Sequence, residues 1–245
     1  VTNAATLERY EDLLEAEKRW RRFTKIASYY PDNGPLQRAA YTKHMDFFAL
    51  GAEYRERMFM AANRSGKTTV GCYETVLHAT GRYDQYAPWW PGKRYDHPIS
   101  AIVAGDTNLT TRDILQAKLF GKLTRQLGDS IADAVGLGTA MMPRDAIIRA
   151  VRRRGAEDAF EEVTARHISG GTSIIKLRSF EQGQEAFQGT EEDLIWLDEN
   201  FPAEIYSEAV TRLMTTRGHL LMTFTPLFGV TPIIREFIDK AYRRS

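Results

Sequence analysis

MAANRSGKTT, residues 60–69, decides how the rest of the chain is read. It follows the phosphate-loop pattern GxxxxGK[ST] except at the first position, where Ala61 stands for glycine, and it carries Arg64 inside the loop. Ahead of it RMFMAA (57–62) has the length and apolarity of a strand, and behind it GKTTVGCYETVLHATG (66–81) has helical spacing. In that order, backbone N–H groups and a helix N-terminus point at phosphate oxygens. The predicted nucleotide-binding set is therefore Ala61, Ala62, Asn63, Arg64, Ser65, Gly66, Lys67, Thr68 and Thr69. Lys67 reaches the β and γ phosphates and Thr68 takes a Mg²⁺ position. Alanine at 61 requires only that this position avoid strained backbone angles.

A second apolar run, DLIWLDEN (193–200), ends in adjacent carboxylates. Read with the loop, Asp198 holds Mg²⁺ and Glu199 orients and activates a water. A carboxylate beside the metal ligand favours water as the nucleophile, whereas a kinase site must exclude it, so the expected reaction is ATP hydrolysis. A third run, HLLMTFTP (219–226), places Thr223 and Thr225 near a strand end, where a polar residue can sense the γ phosphate; ordinary turn chemistry is the alternative.

Around these runs the pattern is βαβ, which predicts an α/β fold with a mostly parallel central sheet flanked by helices. ISAIVAGD (99–106) is a buried strand followed by a helix over TTRDILQAKLFGKL, and VTARHISGGTSIIKLRSF (163–180) is a β-hairpin. Residues 4–30 form an amphipathic N-terminal helix, and LQRAAYTKHMDFFALGA a second helix ended by Gly51. A helix over AEIYSEAVTRLM joins the last two strands, and IIREFIDKAYRRS is a helix leaving the domain. Trp89 and Trp90 sit in a long aromatic loop, as packing anchors before ligands. At 245 residues and 43% hydrophobic content one large domain is the expectation, and a net charge of +1 makes any nucleic-acid surface local or a product of assembly. The single cysteine, Cys72, excludes an internal disulfide framework and offers no zinc spacing, which fits a reducing cytoplasm. No apolar run approaches the roughly 20 residues that span a bilayer, and no signal-peptide pattern is expected.

Taken together, MFMAANRSGKTT, EAFQGTEEDLIWLDEN, TRLMTTRGHLLMTFTPLFG and the upstream KHMDFFALGAEYRERMFM resemble the large terminase subunits of tailed bacteriophages, over most of residues 35–235. Members of that family typically carry a deviant phosphate loop with an arginine inside. The resemblance implies a P-loop NTPase of the ASCE type and ATP-driven translocation of double-stranded DNA. It also implies a homo-oligomeric ring on the portal protein, a small terminase subunit as partner, and work in the host cell cytoplasm without a membrane. It divides the chain into an N-terminal helical extension (1–34), the ATPase domain (35–235) and the start of a linker (236–245). The family's nuclease domain is expected to be missing from this polypeptide, and nuclease activity with it. Lys67, Thr68, Asp198 and Glu199 match the two nucleotide motifs and the catalytic glutamate. Thr225, with Thr223 as companion, matches the coupling motif.

Arg64 matches the family's loop arginine; it either stabilises γ-phosphate charge or points outward into an intersubunit salt bridge. Where the family commonly has a glutamine before its aromatic pair, this chain has His44, with Gln37 as an alternative contact to adenine. RDAIIRAVRRRG (144–155) concentrates Arg144, Arg149, Arg152, Arg153 and Arg154, which fits phosphate contacts to DNA, an arginine acting on a neighbour's ATP, or a solvated face or interface. Two other readings stay open: another ASCE nucleic-acid motor, helicase-like, and a nucleotide-gated assembly module without productive translocation.

Overall fold

The computed structural model describes residues 4–123, 136–226, 229 and 231–242. Helix α1 (Ala4–Phe23) is followed by α2 (Thr42–Ala49), β1 (Glu56–Met60), α3 (Lys67–Thr80), the single turn α4 (Tyr83–Tyr86) and β2 (Ser100–Gly105). A composite helix then runs as α5 (Asn108–Thr110), a π-helical stretch (Thr111–Gln116) and α6 (Ala117–Phe120). The remainder is β3 (Ile147–Arg152), β4 (Phe160–Arg166), β5 (Thr172–Ser179), β6 (Leu194–Asp198), α7 (Ala203–Arg212), β7 (His219–Phe224) and α8 (Pro232–Tyr242).

The strands form one sheet in the order β1-β7-β6-β2-β5-β4-β3. From β1 to β5 every pairing is parallel, and β4 and β3 are added antiparallel. The expected hairpin is β4–β5, with Arg166 opposite Thr172. Its neighbour β3 was not foreseen as a strand: the arginine-rich segment reads as a charged surface because β3 is an edge, with Ile148, Arg149 and Arg152 exposed.

Two helical layers cover the sheet, and the period of two along each buried strand explains how. On β6, Leu194 and Trp196 join the cluster packed under α3, while Ile195 and Leu197 join the one under α7. The close approach of α3 needs Gly71, because a Cβ there would lie 2.1 Å from the Trp196 ring. The aromatic loop packs as anchors do, with Trp90 4.7 Å from Phe48 and Trp89 stacked on Tyr73.

Four expectations need correction. The N-terminal helix stops at Phe23 instead of running to residue 30, because Thr24 leaves helical angles (φ −133°, ψ 45°) and a separate 3-10 turn (Lys25–Ser28) follows. The second helix is broken into a 3-10 turn (Arg38–Ala40), α2 and a further turn (Leu50–Ala52), because Tyr41 leaves helical angles (φ −122°, ψ 47°) while its ring packs on Tyr30 and His44. The helix after β2 is not regular α, since its middle turns are π. And α8 lies on the domain: Ile234 is buried and Ile233 and Phe237 pack against the α7 cluster, because its apolar residues share one helical face. Residues 243–245, the end of the expected linker, are outside the described residues.

Candidate nucleotide site

Parallel pairing brings the C-terminal ends of β1, β7, β6 and β2 to one edge, where open α/β sheets place their ligands. The loop after β1 turns through two left-handed positions, Arg64 at φ 64° and Gly66 at φ 86°, before α3 begins at Lys67. Gly66 is required twice over: its φ suits glycine, and a Cβ would sit 2.8 Å from the His44 ring. Lys67 is buried and folds back over its own loop, Nζ donating to the Ala62 carbonyl at 2.9 Å. Ser65 Oγ is buried without a hydrogen-bond partner among the described residues. Arg64 stands exposed at the loop.

Register fixes the acidic side of the site. Asp198 on β6 lies opposite Thr223 on β7. Thr223 Oγ1 donates to Asp198 Oδ1 at 2.5 Å, and Thr68 Oγ1, from the first turn of α3, donates to Asp198 Oδ2 at 3.3 Å. Burial raises the Asp198 carboxyl to about 6, with the Glu199 charge adding to the rise; the Thr223 and Thr68 hydroxyls and Lys118 pull the other way. Glu199 follows at φ 76°, a left-handed position held by its N–H donating to the Thr223 carbonyl at 2.7 Å. That reversal turns Glu199 out of the strand, and its side chain is exposed. Thr225 Oγ1 donates to Asn63 Oδ1 at 2.9 Å, tying the end of β7 to the phosphate loop.

A cleft of about 370 Å³ opens here, lined by Thr68, Asp198, Glu199 and Thr225 together with Gly105, Asp106, Thr110, Ile114, Leu115 and Asn200. Of the nucleotide, metal, catalytic and coupling residues singled out in the sequence, Thr68, Asp198, Glu199 and Thr225 line it, whereas residues 61–67, Thr69, Thr223, Gln37 and His44 do not. Gln37 precedes the Arg38–Ala40 turn. His44 instead props the loop from α2: Nε2 is 2.9 Å from the Ser65 carbonyl and Nδ1 2.9 Å from the Tyr30 hydroxyl. A carbonyl only accepts, so Nε2 carries the proton and Nδ1 accepts from Tyr30. Burial lowers the His44 pKa against the pull of that carbonyl, which favours the neutral ring.

None of the five arginines lines the cleft. Arg144 lies in the 3-10 turn before β3, Arg149 and Arg152 are exposed on β3, and Arg154 is exposed beyond it. Arg153 is committed within the chain, to Asn108 Oδ1 and, at 2.5 Å, to the Leu177 carbonyl.

Sequence reasoning missed Trp196, Asp106 and Asn200. Trp196 is fully buried and its Nε1 donates to Thr223 Oγ1 at 2.8 Å. The signal was its place two residues before Asp198, hence on the same sheet face. Asp106 follows β2, which pairs β6, so the end of IVAGD already marked an acidic neighbour of Asp198.

The residues fit a nucleotide with Mg²⁺. Thr68 and Asp198 offer hard oxygen donors side by side, the set Mg²⁺ takes alongside phosphate oxygens. Among the described residues no group of three or more His, Cys, Asp or Glu is poised for a metal. Lys67, whose Nζ donates to a carbonyl of its own loop, and the helix N-terminus behind it suit an anion.

The family model described as the N-terminal part of the terminase large subunit, T4-like-virus type, matches residues 58–244. The large terminase subunit of Salmonella phage P22 is 29% identical over 241 residues, covering 93% of this chain and 45% of that protein, so the chain spans less than half of that relative. Among solved structures, the large terminase of a thermophilic bacteriophage superposes with a TM-score of 0.53 at 17% identity, covering 83% of this chain and 42% of its own. The same terminase in complex with ADP gives 0.52 at 18% identity, with the same coverage. At that identity these two speak for the fold. With the family model spanning nearly all of the sheet and its site, the chain belongs to the terminase large subunit family, through the N-terminal domain of that protein.

Proposed function

We propose that this domain is an ATPase motor that hydrolyses ATP with Mg²⁺ to drive double-stranded DNA into a procapsid. The observation that carries the reading is the convergence of Thr68, Asp198, Glu199 and Thr225 on one cleft beside a phosphate loop. Family membership and the ADP complex of the thermophilic phage relative support a nucleotide as the ligand.

In this reading the loop N–H groups and Lys67 hold the phosphates, Lys67 exchanging the Ala62 carbonyl for phosphate oxygens. Thr68 and Asp198 would hold Mg²⁺, which supplies charge neutralisation on the phosphoryl oxygens when bound. Glu199, at the cleft wall, orients the attacking water and takes its proton. Arg64 stabilises charge on the transferred phosphoryl group. Thr225 reports the state of the loop to β7 through Asn63, the link by which hydrolysis moves the rest of the domain.

The portal protein, a small terminase subunit and a ring of copies in the host cytoplasm belong to the same proposal, as does the division into a helical extension (1–34) and an ATPase domain that begins at residue 35 and takes in α8. The arginines at and beyond β3 are its candidates for contact with DNA or with a neighbouring subunit. The test is steady-state Mg·ATP turnover by the purified chain with and without double-stranded DNA, beside Lys67→Ala. Turnover that is lost in the variant supports the reading; turnover indifferent to Lys67 contradicts it.

A further inference from the structure

Helix α1 stands apart from the sheet. Every side chain from Leu7 to Arg22 is exposed, and the last turn of the helix is closed locally where Thr24 Oγ1 donates to the Trp20 carbonyl at 2.5 Å. Yet it is not a polar helix. Leu7, Tyr10, Leu13, Leu14 and Trp20 recur at spacings of three, four and seven, so they share one face, and all are between 36% and 61% exposed. An isolated helix of this length is marginal in water, and an apolar face of this kind is normally covered.

The two edges of that stripe say by what. One edge is charged, with Glu11 and, two turns on, Lys18; the other is apolar, with Leu13 and Trp20. Between them, Glu17 and Arg21 interrupt the stripe as an ion pair of 2.7 Å, which neutralises both and keeps any contact there weak. When two such helices pair in parallel and in register, opposite edges meet, which sets Leu13 and Trp20 against charged side chains. When they pair antiparallel, like edges meet in reverse order. Glu11 then faces Lys18 twice over, and the apolar edges close on each other with Tyr10 near Trp20 across the seam.

We propose that α1 is a self-association surface whose partner is α1 of a second copy of this chain, in antiparallel orientation. The two helices form a two-fold seam about 30 Å long, at the small end of specific interfaces, so the pair forms in the micromolar range. Its charged edge makes it weaken with salt. This contact is independent of the nucleotide site and of the reaction assigned to it.

The experiment is sedimentation velocity on the full chain from about 1 to 100 μM, for the wild type, for Glu11→Lys and for Lys18→Glu. The expected result is a wild-type dimer, each variant alone dimerising about 10-fold more weakly because like charges now meet twice, and an equimolar mixture of the two variants dimerising again, because each supplies the charges the other lacks. Recovery in the mixture also shows that neither variant has lost its helix. A wild type that stays monomeric overturns the proposal and points to a different partner for the stripe. Variants that dimerise as the wild type does, or a mixture that stays monomeric, overturn it as well.

Discussion

Thr223 and Asp198 face each other across β7 and β6, the threonine hydroxyl donating to Oδ1 at 2.5 Å. The direction of that bond is set from behind. The indole N–H of Trp196 can only donate, so Thr223 Oγ1 accepts there and its one proton is sent to the carboxylate. Thr223 thereby keeps a buried carboxylate oriented in a place where burial opposes its charge. Thr223→Val removes both bonds at nearly constant volume. The expected outcome is a Mg²⁺ requirement for turnover raised about 10- to 100-fold, with metal-free nucleotide binding little changed. Thr223→Ser should stay near the wild type, and titration of Mg²⁺ against both binding and turnover checks the split.

Gly66 joins the phosphate loop to His44. Gly66→Ala forces a side chain into a left-handed position and against the imidazole, 2.8 Å away. We expect a stability loss of about 1–3 kcal/mol and weakened nucleotide binding, read by denaturant melts and by fluorescent-nucleotide titration. His44→Ala clears the ring but leaves the strained backbone, so adding it to Gly66→Ala should recover only part of the loss.

Behind the site, β1 is tied to α3 by a buried ion pair. Arg57 donates to Glu74 at 2.5 Å, and His78 Nε2 is 3.1 Å from the same oxygen. Burial opposes ionisation of Glu74, but Arg57 and His78 overcome it and hold the carboxyl at about 2. Arg57→Met should cost about 3–5 kcal/mol by stranding that charge, and adding Glu74→Leu should restore most of it. A double-mutant cycle in urea measures both. Because the folded value lies below the ordinary value of 4.5, the stability Glu74 contributes is present at neutral pH and is lost only as pH falls through that interval toward 2.

Mild acid acts through histidines instead. Burial lowers His219 to about 4, with His78 and Arg57 adding to the shift, and burial also lowers His78 and His44. The unfolded chain takes these protons first, so stability should fall from about pH 6.5 downward. The His219 share of that loss is complete once the folded group also protonates, near pH 4. Asp198 has the opposite sign: its raised value makes the fold gain as pH drops from about 6 toward the unfolded carboxyl range, which offsets part of the loss. His219→Gln should flatten the profile by on the order of 1–3 kcal/mol between pH 7 and pH 4, measured as melting temperature against pH without nucleotide.

What could be read in advance followed the physics of each signal. Apolar runs of strand length and the order strand, loop, helix gave the parallel sheet, and the acidic and basic candidates for the site stood out because phosphate and metal chemistry restricts residue types. β3 was hidden by its own exposure, since an edge strand needs no apolar face. The break at Tyr41 was hidden because helical spacing continues through a residue whose ring packs elsewhere. His44 was visible as a departure from a family pattern, but its place against Ser65 depends on tertiary packing, which spacing does not encode. Trp196 looked like one more apolar strand residue, and only the register of β6 against β7 gives its N–H a task.

We propose that Glu199 activates water beside a site built by Thr68 and Asp198. The most direct test is single-turnover Mg·ATP hydrolysis by the wild type and by Glu199→Gln, with nucleotide affinity measured on the same samples. The amide keeps the shape and removes the base, so hydrolysis should fall about 10²- to 10⁴-fold while affinity stays within a few-fold. Hydrolysis that survives the substitution, at unchanged affinity, would contradict that role for Glu199.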